Sequence, residues 1–230
     1  MGGWCPSAPK MSSTKTDPPA SGWRQFLARH GQRLATLYFF ANILGYVAWQ
    51  TWKLYAAGQL DFIEVSFIVH NIIMAAVVLL RHEHFAFDRN IWHQLVALTA
   101  FFSGMAFIGQ PRTATEAAMT ASQIIILAAN VFGMACLINL GKSFGVLIAC
   151  RGIKTTGLYA LVRHPMYGSD ILLRIGYVFA HFTAFTVIAL LLSSACYIYR
   201  ALLEERFLAQ QSEYQDYMRR VRYRFIPFLF

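Results

Sequence analysis

Ile171-Leu-Leu-Arg174-Ile-Gly-Tyr-Val-Phe-Ala-His181-Phe-Thr183-Ala-Phe-Thr-Val-Ile-Ala-Leu-Leu-Leu-Ser-Ser-Ala-Cys196-Tyr-Ile-Tyr199 carries a single charge, Arg174. A helix crossing a ~30 Å hydrocarbon core needs about 20 residues, so this tract is too long for one crossing. Its centre, His181-Phe182-Thr183, is the place where a helix would break. Together with residues 167–170, the tract predicts two short helices in a tight hairpin. Upstream, residues 34–52, 62–80, 91–109 and 117–141 form four more apolar runs, interrupted only by Glu64. Helices are expected throughout, because the bilayer core has no water to satisfy backbone N–H and C=O groups. The expected fold is therefore all-α: a polytopic membrane helix bundle of about six crossings, with a C-terminal helical hairpin and an amphipathic cytoplasmic helix.

Composition supports the same class. The chain has 230 residues, of which 57% are hydrophobic and 13% charged, whereas soluble domains are about a quarter charged. This excludes a disordered protein, a fibrous repeat and a disulfide-knotted module. No apolar signal-peptide core stands in the first thirty residues, so secretion is not expected. Residues 1–22 read as a disordered cytoplasmic tail and 23–230 as a single transmembrane domain. Cys5, Cys136, Cys150 and Cys196 show no metal or CxxC spacing.

The basic residues set an expected orientation. With both ends cytoplasmic, the inner side holds Lys10, Lys15, Arg24, Arg29, Arg33, Arg81, Arg89, Lys142, Arg151, Lys154, Arg163 and six arginines from Arg200 to Arg224. Only Lys53 and Arg112 fall outside, and Arg174 within the membrane. Such a bias fits an even number of crossings. The net charge of +9 is then accounted for by topology and membrane lipids, with no need for nucleic acid.

Reactive groups gather in residues 142–170 and 200–227. The first segment contains Arg151-Gly-Ile153-Lys154-Thr-Thr-Gly157-Leu-Tyr159 and Arg163-His164-Pro165-Met-Tyr167-Gly168. Glycine allows close backbone approach to a ligand, and proline biases His164 away from helical geometry. By itself this segment is equally a basic membrane-surface loop. In the second segment Leu203, Phe207, Tyr214, Tyr217 and Val221 recur at helical spacing, predicting an amphipathic helix running on from the last crossing to Pro227. Glu204 and Glu205 stand at its membrane end, read either as an exposed pair balanced by Arg200 and Arg206 or as acceptors for a ligand's polar groups.

The order Gly157-Leu-Tyr159, Arg163-His164-Pro165-Met-Tyr167, Leu203-Glu204-Glu205-Arg206, Tyr214-xx-Tyr217-xxx-Val221 and Ile226-Pro227 resembles the isoprenylcysteine carboxyl methyltransferase and phospholipid methyltransferase superfamily, over roughly residues 120–230. The resemblance implies S-adenosylmethionine bound at the cytoplasmic side. Tyr159, His164, Pro165 and Tyr167 would line it, Arg151, Ile153 and Lys154 would cover it, and Glu204 or Glu205 would take a polar group. Arg163 and Arg220 would face the methyl acceptor or hold the site together. One departure is Ser169, where the family usually has glycine.

The chemistry of methyl transfer from a sulfonium consists mainly of positioning and desolvation. A carboxylate acceptor needs a cation to hold it, and arginine's fork suits that role. An amine acceptor needs a base instead, for which Glu204, Glu205 or His164 could serve. The expected partners are membrane lipids and a lipophilic or lipid-linked acceptor, with carboxyl O-methylation favoured. The alternatives are an NADPH-dependent sterol-type reductase, to which Asp170 and Tyr223-Arg224-Phe-Ile-Pro227 conform, and a non-catalytic scaffold. Elsewhere, Asp170 and Arg174 predict an ion pair within one helix. Asn130 and Asn139 predict interhelical hydrogen bonds. His82-Glu83-His84 with His93 lacks the density of a metal box and is read as no metal site.

Overall fold

The break at residues 181–183 is built by threonine. Thr183 accepts from the Thr186 N–H at 3.1 Å, while the Thr186 hydroxyl accepts from the Thr183 N–H at 3.0 Å. This reciprocal cap satisfies the first donors of a helix start. On the other side, the His181 N–H donates to the Tyr177 carbonyl at 3.0 Å and closes the preceding helix. The apolar tract is therefore a hairpin of α5 (Pro165–Ala180) and α6 (Ala184–Leu208).

The computed structural model describes residues 22–58, 62–107, 110 and 113–227, without the side chains of 22–29 and 62–64. Ahead of the hairpin come α1 (Gly22–Ala56), α2 (Phe62–Leu80), β1 (Ala86–Phe87), α3 (Ile91–Phe102) with a 3-10 extension (Ser103–Phe107), α4 (Glu116–Leu140) and β2 (Ala149–Cys150). A 3-10 turn (Gly157–Ala160) precedes α5, and α7 (Ser212–Arg220) follows α6. The two short strands pair antiparallel, Ala86 opposite Cys150 and Phe87 opposite Ala149. They are a minor exception to an otherwise helical chain. Of the tail expected over residues 1–22, residues 1–21, with Lys10, Lys15 and Cys5, lie outside the described residues and Gly22 opens α1; Arg112 and the side chains of Arg24, Arg29 and Glu64 also lie outside them.

The helix starts carry their caps. Asn90 accepts from the Trp92 N–H ahead of α3, and Thr115 accepts from the Ala118 N–H ahead of α4. Two stretches are long and apolar enough to cross a bilayer, Glu116–Ser143 and Ala184–Leu208. Val65–Leu80 and Ile91–Phe107 are apolar but shorter.

α4 and α5 form the tightest helix pair, and small residues make it so. A Cβ on Gly176 would lie 2.7 Å from Ile126 Cγ1, and one on Gly133 would lie 2.8 Å from the His70 ring and 3.1 Å from Ser169 Oγ. Where water offers no hydrophobic drive, small residues let helix backbones approach and pack. Ser169 is accommodated in place of glycine because α4 presents Gly133 to it. Asn130 does bridge helices, donating to Ser66 on α2 at 3.1 Å. Asn139 instead holds the loop, accepting from the Leu158 N–H at 3.2 Å. Gly157 has φ +65°, and a Cβ there would meet the Asn139 amide at 2.5 Å, so the turn admits only glycine without displacement.

The helix expected from Leu203 through Val221 is divided. α6 stops at Leu208, residues 209–211 turn, and α7 begins at Ser212. Tyr214, Tyr217 and Val221 fold back onto Ile153 and Leu208 in one apolar cluster. A straight continuation would leave that tyrosine face without a partner. Residues 221–226 are then non-helical, and the Arg163 and His164 N–H groups donate to the Tyr223 and Arg224 carbonyls at 2.9 and 2.7 Å.

Candidate active site

His164 has φ −127° and ψ 56°, outside the helical region, and Pro165 opens α5. Proline costs nothing at this first position because its missing N–H would be unpaired anyway. One turn on, Tyr167 stacks against the His164 ring at 5.2 Å with an interplanar angle of 7°. The Tyr167 hydroxyl donates to Glu204 Oε2 at 2.5 Å. The two ends of the hairpin, 37 residues apart in sequence, thus meet at one point.

Glu205 takes the other direction. It is 6% exposed and receives Arg163 Nε at 2.7 Å, His164 Nε2 at 3.2 Å and Arg224 Nε at 3.0 Å. Arg163 Nη1 also donates to the Val221 and Arg222 carbonyls at 2.7 and 2.9 Å. A buried carboxylate survives desolvation only with charge-assisted partners of this kind. The knot ties the loop, α6 and the C-terminal segment together. Arg206 is exposed, so the expected balance of the acidic pair by its helical neighbours gives way to these distant cations.

Arg200, not singled out from sequence as a site residue, is 4% exposed. It donates to the carbonyls of Ala97 at 3.0 Å, Gly145 at 3.0 Å and Val146 at 2.7 Å, and its guanidinium lies 5.0 Å over the Tyr167 ring. It fixes Tyr167 from above by a cation–π contact and binds α3 to the loop. Deeper, Arg174 spans the bundle, donating to the Asp170 carbonyl at 2.7 Å, to Ser103 at 3.0 Å and to Tyr197 at 3.3 Å. Its Asp170 carboxylate contact is longer, 4.0 Å. The ion pair expected there is a minor part of a wider network.

A cavity of about 80 Å³ opens among these groups, lined by Ile153, Lys154, Tyr159, Arg163, His164, Tyr167 and Glu204, with Ser143, Gly145, Gly152 and Tyr214. Seven residues expected from sequence thus converge. Pro165, Glu205 and Arg151 are buried next to this lining rather than in it. Arg220 sits exposed at the end of α7 and does not reach the cavity. Tyr159 places a buried hydroxyl at the wall with no hydrogen-bond partner among the described residues. Burial raises its pKa well above the ordinary tyrosine range, so it remains a neutral phenol. Its carbonyl accepts from the Tyr217 hydroxyl at 2.6 Å, which docks α7 over the site.

Most of this arrangement lies within a segment that matches a known family. Residues 118–215 match the family model described as phospholipid methyltransferase. That segment is a phospholipid methyltransferase domain. The domain belongs to the isoprenylcysteine carboxyl methyltransferase-like superfamily, in agreement with the resemblance carried by the Arg163-His164-Pro165 and Glu204-Glu205 motifs. None of the curated proteins compared is significantly similar to the chain. The phospholipid methyltransferase domain includes most of α4, the loop, the hairpin and the first part of α7, whereas Arg224, which completes the Glu205 knot, lies beyond it. Arg224 was one of several arginines in the C-terminal run, and only the return of the chain distinguishes it. The expected membrane association agrees with the domain and with the two long apolar helices.

Proposed function

We propose that this protein is an integral-membrane S-adenosylmethionine-dependent methyltransferase acting on a lipophilic or lipid-linked acceptor, with carboxyl O-methylation favoured. The observation that carries the reading is the meeting of Tyr167 and Glu204 at the wall of a cavity that also holds an unpaired Tyr159 hydroxyl. In this reading the chain makes about six crossings with both ends cytoplasmic.

The donor set fits a nucleoside sulfonium. Glu204 offers a carboxylate to hydroxyl, amino or sulfonium groups, and Tyr159 offers an unspent hydroxyl. When bound, S-adenosylmethionine supplies an electrophilic methyl group. Glu204 and Tyr159 would hold it, while Tyr167, stacked on His164, shapes the wall. Ligand pockets generally enclose several hundred Å³, so seating a nucleoside requires the cover formed by Ile153 and Tyr214 to move outward.

Carboxylate rather than amine as acceptor follows from how the side chains are committed. Glu204 accepts from the Tyr167 hydroxyl and in this reading holds the cofactor, and His164 Nε2 is bonded to Glu205, so neither of these described residues is assigned to deprotonating an amine. Arg163, expected to face the acceptor, spends its fork on Glu205 and two carbonyls. It holds the site together, and Lys154 is left as the cation toward an acceptor carboxylate.

Thermal unfolding of the purified protein tests the reading. S-adenosylmethionine at 100 times its dissociation constant should stabilise it by about 2.7 kcal/mol, whereas NADPH should not. Stabilisation by NADPH alone would favour the reductase; stabilisation by neither, a scaffold.

A further inference from the structure

Beside the methyl-transfer cavity, one guanidinium is buried without an anion. Arg151 is 8% exposed, and its Nε and Nη1 are enclosed with no hydrogen-bond partner among the described residues. The other buried arginines of this region differ. Arg163 donates to Glu205 and two carbonyls, and Arg200 donates to three carbonyls. An enclosed cation without a counterion is unfavourable, and open buried donors add to that. Burial pushes the Arg151 guanidinium down to about 10; the charge of Arg81 acts in the same direction, and that of Glu204 opposes both.

A glycine brings this cation against the cavity wall. Gly145 lines the cavity, and a Cβ there would lie 3.2 Å from Arg151 Cζ and collide with Nη1. The guanidinium thus fills the place that a side chain at 145 would take. Gly145 is itself held, because its carbonyl accepts from Arg200 Nη2 at 3.0 Å, and the same Arg200 lies over the Tyr167 ring. Ala149 and Gly152, on either side of Arg151 in the chain, line the same cavity, as do Glu204 and Lys154. The site therefore has a carboxylate in its wall and an uncompensated cation directly behind it.

We propose that Arg151 is the counterion for the carboxylate at the amino-acid end of S-adenosylmethionine. The inference rests on the methyltransferase reading and deepens it. That end of the molecule carries an ammonium and a carboxylate on one carbon, close to the sulfonium. Glu204 serves the cationic groups, so the carboxylate needs a cation near Glu204 that Glu204 has not already claimed. Arg163 is claimed by Glu205, whereas Arg151 has enclosed donors without partners. A guanidinium holds a carboxylate through charge-assisted hydrogen bonds, which are stronger than neutral ones. With Arg151 given to the cofactor and Lys154 to the acceptor, each carboxylate has its own cation.

The test measures affinity by calorimetry on the full chain in a neutral detergent. The ligands are S-adenosylmethionine and its decarboxylated analogue, which keeps the ammonium and the sulfonium. The parent should bind S-adenosylmethionine about tenfold or more tightly than the analogue. Arg151→Gln should erase that preference by weakening S-adenosylmethionine, with no loss toward the analogue. Gly145→Ala, which pushes the guanidinium aside and keeps its charge, should reduce the preference too, and it decides should R151Q fail to fold. Unliganded R151Q should melt no lower than the parent, because an uncompensated charge has been removed; a lower melting temperature with the preference kept would mean an arginine that only supports the fold. Equal losses for both ligands, or an undiminished preference in R151Q, would overturn the proposal. So would an effect of R151Q confined to hexadecanoic acid bound alongside S-adenosylhomocysteine, which would assign Arg151 to the acceptor. Binding of S-adenosylmethionine by the parent separates the two levels. Where it holds and R151Q leaves the preference unchanged, only the role of Arg151 falls; where the parent does not bind it, the methyltransferase reading falls as well.

Discussion

Adjacent glutamates in this chain do different work because successive helical positions point about 100° apart. Glu204 faces the cavity and holds Tyr167, while Glu205 faces inward and is claimed by Arg163, His164 and Arg224. Glu205→Ala should therefore behave as the loss of a buried ion-pair partner and destabilise the protein by about 3–5 kcal/mol, read as a large drop in melting temperature. Arg163→Lys should be harmful for the same reason, since a point charge cannot reach Glu205 and two carbonyls at once; unchanged stability in that variant would remove Arg163 from the knot. Glu204→Gln should instead leave the fold standing and weaken S-adenosylmethionine binding. Tyr167→Phe should act on the same contact, so a double-mutant cycle with Glu204→Gln should give non-additive losses of turnover. Additive losses would mean that the Tyr167–Glu204 hydrogen bond plays no part. The residue types at these positions were legible in the sequence. Which glutamate faces which way was not, because it depends on where α6 is rotated by its packing.

At the scale of elements, the site's precision comes from the α4–α5 contact and from the cover that α7 provides. Gly176→Val should cost about 1–3 kcal/mol by overpacking, because its obstruction includes the Ile126 backbone N at 3.2 Å as well as a side chain. If melting shows no loss, the close approach of these helices is not what holds α5 in place. The hairpin was readable because the tract is too long for one crossing, carries the single charge Arg174 and has a break at its centre, residues 181–183. The turn between α6 and α7 was not, because the tyrosine spacing fits a continuous helix equally well. What ends α6 is the tertiary gain from folding Tyr214 and Tyr217 onto Ile153 and the Tyr159 carbonyl.

For the whole molecule, the expected orientation puts the proposed methyl-transfer site, both termini and most arginines on one side of the membrane. Single cysteines introduced at Tyr55 and at Arg219, in a background lacking the native cysteines, should label with a membrane-impermeant reagent from opposite sides. Tyr55 should react from outside and Arg219 only after permeabilisation. Labelling of both from the same side would overturn the even-crossing arrangement. Composition, the spacing of apolar runs and the Arg163-His164-Pro165 and Glu204-Glu205 motifs determined, by themselves, the helical class, the hairpin and the family likeness of the segment 118–215, because hydrophobic length and local backbone constraint are properties of adjacent residues. The division of labour between Glu204 and Glu205, the spending of Arg163 and the exposure of Arg220 were decided by tertiary structure alone. Each depends on a group brought near from a distant part of the chain, and buried charge is stabilised or left wanting only by what stands within a few ångströms of it.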